Sequence, residues 1–444
     1  MNRYKQILRI MAGMLLISSC TQSSTPSTVD EELQTRIKAF NLSALGNPDI
    51  ESSEEMIDLG RALFFDKILS GNRDVSCSTC HLPSNATTDG LNVAIGTGGE
   101  GLGPDRSGER FSRNSQDLFN RGYSKLVTTM YTDKRINGTP TLGFHSPAGK
   151  QLPDGLNHVL AVQALFPITS RSEMRGQIGD TDIFGDNNEL ADLDDEDFTG
   201  IWQAIMDRLL ANDEYVALFN AAFPDVDTSE FGIQHMGNAL AAFEADAFHF
   251  ANSPWDRYLS GESDALTTEE KSGANLFFGK ANCVTCHNGN LLFDQNQDNI
   301  LVPNVGPGKD DDGLDLGIAI NTENSGDTFA FRSAPLRNVE LTAPYMHNGA
   351  FSSLEEVVNH YNDVSQSLTS YTGINLPDDL EVHNDEEVQT KMFATKSGDT
   401  PKLNLTDNEI SQIVSFLKAL TDPAARDLSD IAPDEVPSGL NIDQ

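Results

Sequence analysis

The sequence predicts an all-α protein of two domains related by an internal repeat. Two echoes and a periodicity predict it. Cys77-Ser78-Thr79-Cys80-His81 returns as Cys283-Val284-Thr285-Cys286-His287. The same approach precedes each, Leu63-Phe64-Phe65-Asp66-Lys67 before the first and Leu276-Phe277-Phe278-Gly279-Lys280 before the second. A motif that recurs together with its approach marks a duplicated unit. Much of the remaining chain carries apolar residues at three- and four-residue spacing, the pattern of amphipathic helices.

The repeated pentapeptide is Cys-x-x-Cys-His, and its spacing has a chemical reason. Two thiols one helical turn apart can each add to a vinyl group of a haem and form two thioethers. The imidazole beside the second Cys then reaches the iron as proximal ligand. A single match competes with a zinc half-site, whereas two matches in one context argue for haem. Two covalently bound haem c groups are therefore expected, one on Cys77, Cys80 and His81 and one on Cys283, Cys286 and His287. Each would sit in a cytochrome c-like domain.

The chain has 444 residues, enough for two or three domains. Of its five Cys only Cys20 lies outside the two motifs, so no disulfide can form without sacrificing a haem. A formal charge of -37 argues against nucleic acid and anionic membrane surfaces as partners and allows steering of a basic redox protein. The N-terminus reads as a targeting segment. Arg3, Lys5 and Arg9 are basic, residues 10–17 are an apolar run too short to span a bilayer, and Ile17-Ser18-Ser19-Cys20 resembles a lipobox. Residues 1–20 are expected to be a lipoprotein signal peptide, with lipid on Cys20 as the sole membrane contact. The protein is then exported to the periplasm or the cell surface, in agreement with haem c, which is attached outside the cytoplasm.

In chain order, residues 21–50 are a Ser/Thr-rich tether and lead-in. Residues 51–65 form a helix on which Met56, Leu59, Leu63 and Phe64 share a face. Residues 89–113 are Gly-rich loop, and residues 156–165 form a helix that Pro167 ends. The acidic run 186–197 reads as a solvated loop. Residues 201–219 and 233–250 read as two long amphipathic helices, and Ser253-Pro254 breaks the second. The N-terminal haem domain is placed at 51–253 and the C-terminal one at 254–425. A helix over 267–278 leads into the second motif, with Glu269 and Glu270 in its first turn. Residues 302–327 contain Asp310, Asp311, Asp312 and Asp315 without the spacing of an EF-hand, and read as solvated loop. Residues 354–361 form a helix. Residues 406–420 form the last, capped by Thr406, with Ile410, Ile413, Val414 and Leu417 as its apolar stripe. Residues 426–444 are expected to be a flexible tail.

What stands opposite His81 and His287 decides the function. A strong sixth ligand makes an electron relay, and an open position admits peroxide. Cleaving a peroxide O–O bond requires a group that moves a proton from the near oxygen to the leaving one, which a carboxylate can do. A neutral amide can orient the peroxide. Met346, His347, His360 and Tyr361 are candidate sixth ligands of the second iron. His145, His158, His235 and His249 lie in no motif and read as structural.

Three stretches carry a family resemblance. They are Phe331-Arg332-Ser333-Ala334-Pro335-Leu336-Arg337-Asn338-Val339 continuing through Leu341-Thr342-Ala343-Pro344-Tyr345-Met346-His347-Asn348-Gly349, then Leu59-Gly60-Arg61-Ala62-Leu63-Phe64-Phe65-Asp66, and the segment from Gln163-Ala164 to Glu173-Met174. Over about residues 53–422 the chain resembles the bacterial di-haem cytochrome c peroxidases and their relative MauG. The resemblance implies that the N-terminal haem is peroxidatic and that Gln163, Pro167 and Glu173 form its distal pocket. It implies an open N-terminal iron, because Thr97 stands where many family members carry a blocking His. It implies Tyr361 as distal ligand of the C-terminal haem, fourteen residues beyond His347 as in MauG, and a calcium ion held by Asn114, Thr342 and Pro344.

The chain also departs from the family pattern. Thr132-Asp133-Lys134-Arg135 replaces a Trp-Asp-Gly-Arg stretch, so the inter-haem Trp is missing, with Tyr131 adjacent, and an insertion follows over about 136–157. Three functions remain. One is a peroxidase reducing hydrogen peroxide with electrons from a small cytochrome c or cupredoxin. Another is a MauG-type enzyme oxidising side chains of a partner protein. The third is a non-catalytic di-haem electron carrier.

Overall fold

The computed structural model describes residues 28–444 apart from 51, 124, 311 and 399. Cys20 and the expected signal peptide, residues 1–20, lie outside the described residues. Helices in chain order are α1 (Val29–Ala39), α2 (Glu54–Phe65), α3 (Cys77–Cys80), α4 (Val159–Gln163), α5 (Phe198–Leu210), α6 (Asp213–Ala222), α7 (Ile233–Ala247) and α8 (Pro254–Leu259). They continue with α9 (Thr268–Phe277), α10 (Ala319–Thr322), α11 (Leu354–Asn362), α12 (Val364–Ser370), α13 (Glu386–Ala394) and α14 (Asp407–Lys418). Helices dominate, but the chain is not purely α. A small antiparallel sheet joins β1 (Thr129–Met130) to β2 (Ile136–Thr139) and β3 (Gly143–His145) of the expected insertion, and two further ladders are only two residues long.

The repeated Phe pairs explain the two cores. Phe64 packs against Phe243 and Phe248 with ring centroids 5.2 and 5.7 Å apart. Phe277 packs against Phe416 at 5.3 Å, and Trp255 meets the same ring at 5.2 Å. Each approach helix is crossed closely by a second helix, α2 by α7 and α9 by α14. The crossing points are Gly60 and Gly273, each four residues before the Phe pair. A Cβ at Gly60 would strike the Ala239 carbonyl, and one at Gly273 the Gln412 carbonyl. Thr267 and Thr406 cap α9 and α14 through capping boxes with Glu270 and Glu409.

Both ends of the described chain cross to the other half. The expected lead-in tether contains α1, started by a Thr28–Glu31 capping box. Leu33 is buried in the C-terminal core, and Arg36 bonds Asn275 and the Phe278 carbonyl on α9. The expected flexible tail, 426–444, is docked onto the N-terminal core. Leu428 and Val436 are buried there, the Ser438 hydroxyl donates to Asp66 at 2.6 Å, and Asp443 pairs with Lys67 at 2.7 Å while accepting from Thr79 of the first haem motif at 2.5 Å. The Pro and Asp content suggested fraying, but Asp443 finds a cation and a hydroxyl. Truncation after Val436 is expected to lower the unfolding free energy by about 2–4 kcal/mol, since two hydrogen-bonded charged sites are lost. A denaturant titration followed in the haem absorption checks this, and an unchanged midpoint would contradict the strap.

Two further readings are corrected. The single helix over 201–219 is two, because the Asn212 side chain accepts from the amides of Glu214 and Tyr215 and starts α6 anew. Within the loop read as solvated, Asp315 is buried and receives a bidentate pair from Arg113 at 2.6 and 2.8 Å.

Candidate functional site

Each half positions its motif histidine in the same way. Cys77 to Cys80 form one helical turn, and Cys283 to Thr285 a 3-10 turn. The Nδ1 atom of His81 lies 3.1 Å from the Thr87 carbonyl, and Nδ1 of His287 lies 3.1 Å from that of Leu292. Donation from Nδ1 to a carbonyl selects the tautomer whose Nε2 lone pair is available to iron. Desolvation lowers both imidazole pKa values, which keeps them neutral. Among the described residues the four motif cysteines form no disulfide.

A cavity of about 280 Å³ lies against the second motif. Cys283, Cys286 and His287 form one wall, and Met346, His347 and Tyr361 also line it. Two of its polar groups suit a haem. Arg332 is buried with no ion pair among the described residues, as befits a cation facing an acidic haem substituent. The Nε2 of buried His347 has no hydrogen-bond partner among the described residues. Of the four candidate distal ligands, His360 is ruled out by its bonds. Its Nδ1 is 2.9 Å from the Ser367 hydroxyl and its Nε2 2.9 Å from the Ile300 carbonyl. The Tyr361 hydroxyl makes no hydrogen bond among the described residues, and burial near Cys286, Cys283 and Asp298 raises its pKa. His347 stacks on Phe331 at 3.6 Å. Replacing His360 with Gln is expected to leave the axial-ligand spectrum of the second haem unchanged, and loss of a ligand band would place His360 on that iron.

The predicted distal residues of the first haem fall on one folded-back segment. Gln163 ends α4, Pro167 opens a 3-10 turn, and Glu173 lies in the π-helical turn Arg171–Arg175, a geometry frequent at functional sites. Gly96 packs so closely on the Ser172 and Glu173 backbone that a Cβ there would strike the Ser172 carbonyl. The amide of Thr97 donates to the Glu173 carbonyl at 3.0 Å. The Thr97 hydroxyl is turned to Asp74, 2.8 Å away, and the same carboxylate takes the Gly98 amide at 2.6 Å. That clasp holds the Gly-rich loop in place.

The Glu173 carboxylate is near enough to Cys80 for its charge to bear on that thiol. Burial raises its pKa, and Arg135 and Lys309 oppose that rise. Sequence reasoning missed several neighbours of this pocket. The Gln163 amide nitrogen is 3.4 Å from the Tyr131 hydroxyl, and the Arg135 guanidinium lies 3.7 Å from the Tyr131 ring centroid. Arg332 reaches the Tyr131 carbonyl at 3.0 Å, while Thr132 already lines the C-terminal cavity. Arg113, Asp133 and Arg135 all stand in segments the sequence had singled out, but their mutual pairing has no local signal.

Asn114, Thr342 and Pro344 line the C-terminal cavity. Among the described residues no group of three His, Cys, Asp or Glu side chains is arranged to hold a metal ion, so a cation there would depend on amide and backbone oxygens. No helix among the described residues is long and apolar enough to cross a membrane.

Comparison with known proteins matches residues 54–264 to the di-haem cytochrome c peroxidase family. The chain is 30% identical to the methylamine utilization protein MauG of Methylorubrum extorquens, over 69% of this chain and 68% of that one. It is 28% identical to the cytochrome-c peroxidase IdrP1 of a Pseudomonas species, covering 72% and 76%. A crystal structure of a MauG-like protein associated with microbial copper homeostasis superposes with a TM-score of 0.61 at 26% identity, over 88% of this chain and 97% of that one.

Proposed function

The chain belongs to the di-haem cytochrome c peroxidase family, and from that premise we propose that its two haem sites divide the labour. The protein is an oxidoreductase that carries haem c and uses hydrogen peroxide. The haem, when bound, supplies an iron that takes electrons into the O–O bond and passes oxidising equivalents on. The chain does the rest. His81 would hold the peroxidatic iron and His287 the electron-handling one. Gln163 would orient the peroxide through its amide, with Pro167 shaping the wall and offering no donor. Glu173 would take a proton from the near oxygen and return it to the leaving one. At the second site Tyr361 would close the iron, with Met346 as the other lining candidate.

One observation carries the open first site. The Thr97 hydroxyl is bonded to Asp74 and the loop is clasped there, so this loop offers no ligand to the iron. Azide titration of the fully oxidised protein tests it. One haem per chain should bind azide without prior reduction, and binding only after half-reduction would overturn the reading.

The same clasp and Tyr361 favour a second reading, oxidation of a partner protein's side chains in the manner of MauG, over simple oxidation of a small cytochrome c or cupredoxin. The bare electron carrier is disfavoured by the desolvated Glu173 carboxylate, which lies near the first motif. Tyr131, touching Gln163 and joined to Thr132, would stand between the two sites. We also infer export through residues 1–20, lipid on Cys20, and a calcium ion on oxygens of Asn114, Thr342 and Pro344.

A further inference from the structure

Three of the eight large apolar side chains exposed among the described residues fall within one seven-residue stretch: Ile178 at 75%, Ile183 at 55% and Phe184 at 64%. Single exposed apolar residues are ordinary, but a group of them marks a contact face. The stretch is not loose. Turns over 177–180 and 182–185 carry it, closed by the Asp180 amide on the Gln177 carbonyl at 3.0 Å and the Gly185 amide on the Asp182 carbonyl at 2.9 Å. The buried Asp182 carboxylate accepts from the amides of Phe184 and Asp186 at 2.9 and 3.0 Å. Asn72 ties the two turns together. Its side-chain amide donates to Asp180 at 3.1 Å, and its carbonyl accepts from the Ile183 amide at 3.0 Å. Buried polar groups thus hold three apolar side chains out in solvent, and a face fixed in advance loses little entropy on binding.

The loop stands beside the first haem motif. Asn72 precedes Cys77 by five residues, so their Cα atoms are at most about 18 Å apart. Ile178 follows Glu173 by five residues, and the Gly71 amide donates to the Met174 carbonyl at 2.7 Å. The surroundings are acidic. From residue 177 to residue 197 the chain has nine Asp and Glu and no Lys, Arg or His. Arg73, Arg208 and Arg171 pair with Asp182, Glu189 and Asp195. Asp186, Asp192, Asp194 and Glu196 are exposed and make no ion pair among the described residues.

We propose that the 177–185 loop is the docking face for a basic redox protein, with Ile178, Ile183 and Phe184 as the centre of the contact and the acidic segment 186–197 as its rim. The proposal rests on the reading that the enzyme exchanges electrons with a protein partner. Charge selects the occupant. A second copy of the chain carries the same net charge of -37 and would set an acidic surface against the acidic rim. An anionic lipid surface is repelled in the same way. A protein with Lys and Arg around an apolar centre is drawn in by the rim and covers the three side chains.

Calorimetric titration of the oxidised holoprotein with oxidised mitochondrial cytochrome c, a basic redox protein, at low ionic strength reads the contact without turnover. Ile178→Ser combined with Phe184→Ser should weaken binding about tenfold, as loss of apolar contact at the centre of an interface does. Asp186→Asn combined with Asp192→Asn should weaken binding at low salt and flatten its fall as salt is added. Peroxide-driven oxidation of hydroquinone, too small to need the face, should be unchanged in both variants, which shows that they fold. Binding that is the same in native and variant proteins, or absent from the native protein, refutes the docking face. A native dimer that the Ser variant turns into a monomer in sedimentation makes a second copy the occupant and also overturns it. Reduced cytochrome c tests the underlying reading separately. If the native protein binds it through this face but does not oxidise it with peroxide, the docking face stands and electron exchange with such a partner fails.

Discussion

Glu173→Gln is expected to slow peroxide cleavage about 10²- to 10⁴-fold, the usual worth of a positioned general acid–base group. Gln keeps the shape and hydrogen-bonding reach of Glu but cannot carry a proton. The π-helical turn that presents residue 173 is held by the Thr97 amide on its carbonyl, a backbone contact that the substitution leaves in place. Both haems should remain attached, since Cys77, Cys80 and His81 keep their surroundings. Stopped-flow spectra after mixing with peroxide give the rate, and the pyridine haemochrome gives the haem count. An unchanged rate with two haems per chain would remove Glu173 from the mechanism. The pH dependence follows from burial. Glu173 titrates above the ordinary carboxylate range, so the base form is present above that raised value and peroxide cleavage is lost as pH falls through it.

Tyr361→Phe is the second large effect. Tyr361 lines the C-terminal cavity and its hydroxyl makes no hydrogen bond among the described residues, so removing the hydroxyl would cost no contact within the chain and would test its proposed role as a ligand. The second haem should change from low to high spin. Its potential should rise by on the order of 0.1 V, because an anionic oxygen donor that stabilises oxidised iron is gone. Peroxide binding at the first haem should persist. An unaltered spectrum would pass the ligand role to Met346, which lines the same cavity, or to the unpartnered Nε2 of His347.

What the sequence revealed was local. The Cys-x-x-Cys-His turns and the cap at Thr406 each depend on neighbours a few residues away, and the structure places them as expected, while Thr267, read as the first residue of its helix, is the cap before it. Thr97 and Tyr361 were visible through spacing against a known pattern. What stayed hidden was non-local. Asp315 looks like one more solvated acid until Arg113, about two hundred residues earlier, is brought to it. Lys309 looks like a loop lysine until Asp133 stands beside it. The crossing of α1 and the C-terminal strap depends on Leu33, Ser438 and Asp443 finding partners in the opposite half, which no periodicity records. The break at Asn212 was legible in principle, since Asn-Asp-Glu is a capping sequence, but the apolar stripe running through it argued for one helix.

The central claim is that the two irons differ, the first open and the second closed. Electron paramagnetic resonance of the fully oxidised protein, before and after one equivalent of hydrogen peroxide, tests it most directly. The account predicts one high-spin and one low-spin haem per chain, and loss of the high-spin signal on adding peroxide with no reductant present. Two low-spin haems that ignore peroxide, or that respond only after half-reduction, would contradict it.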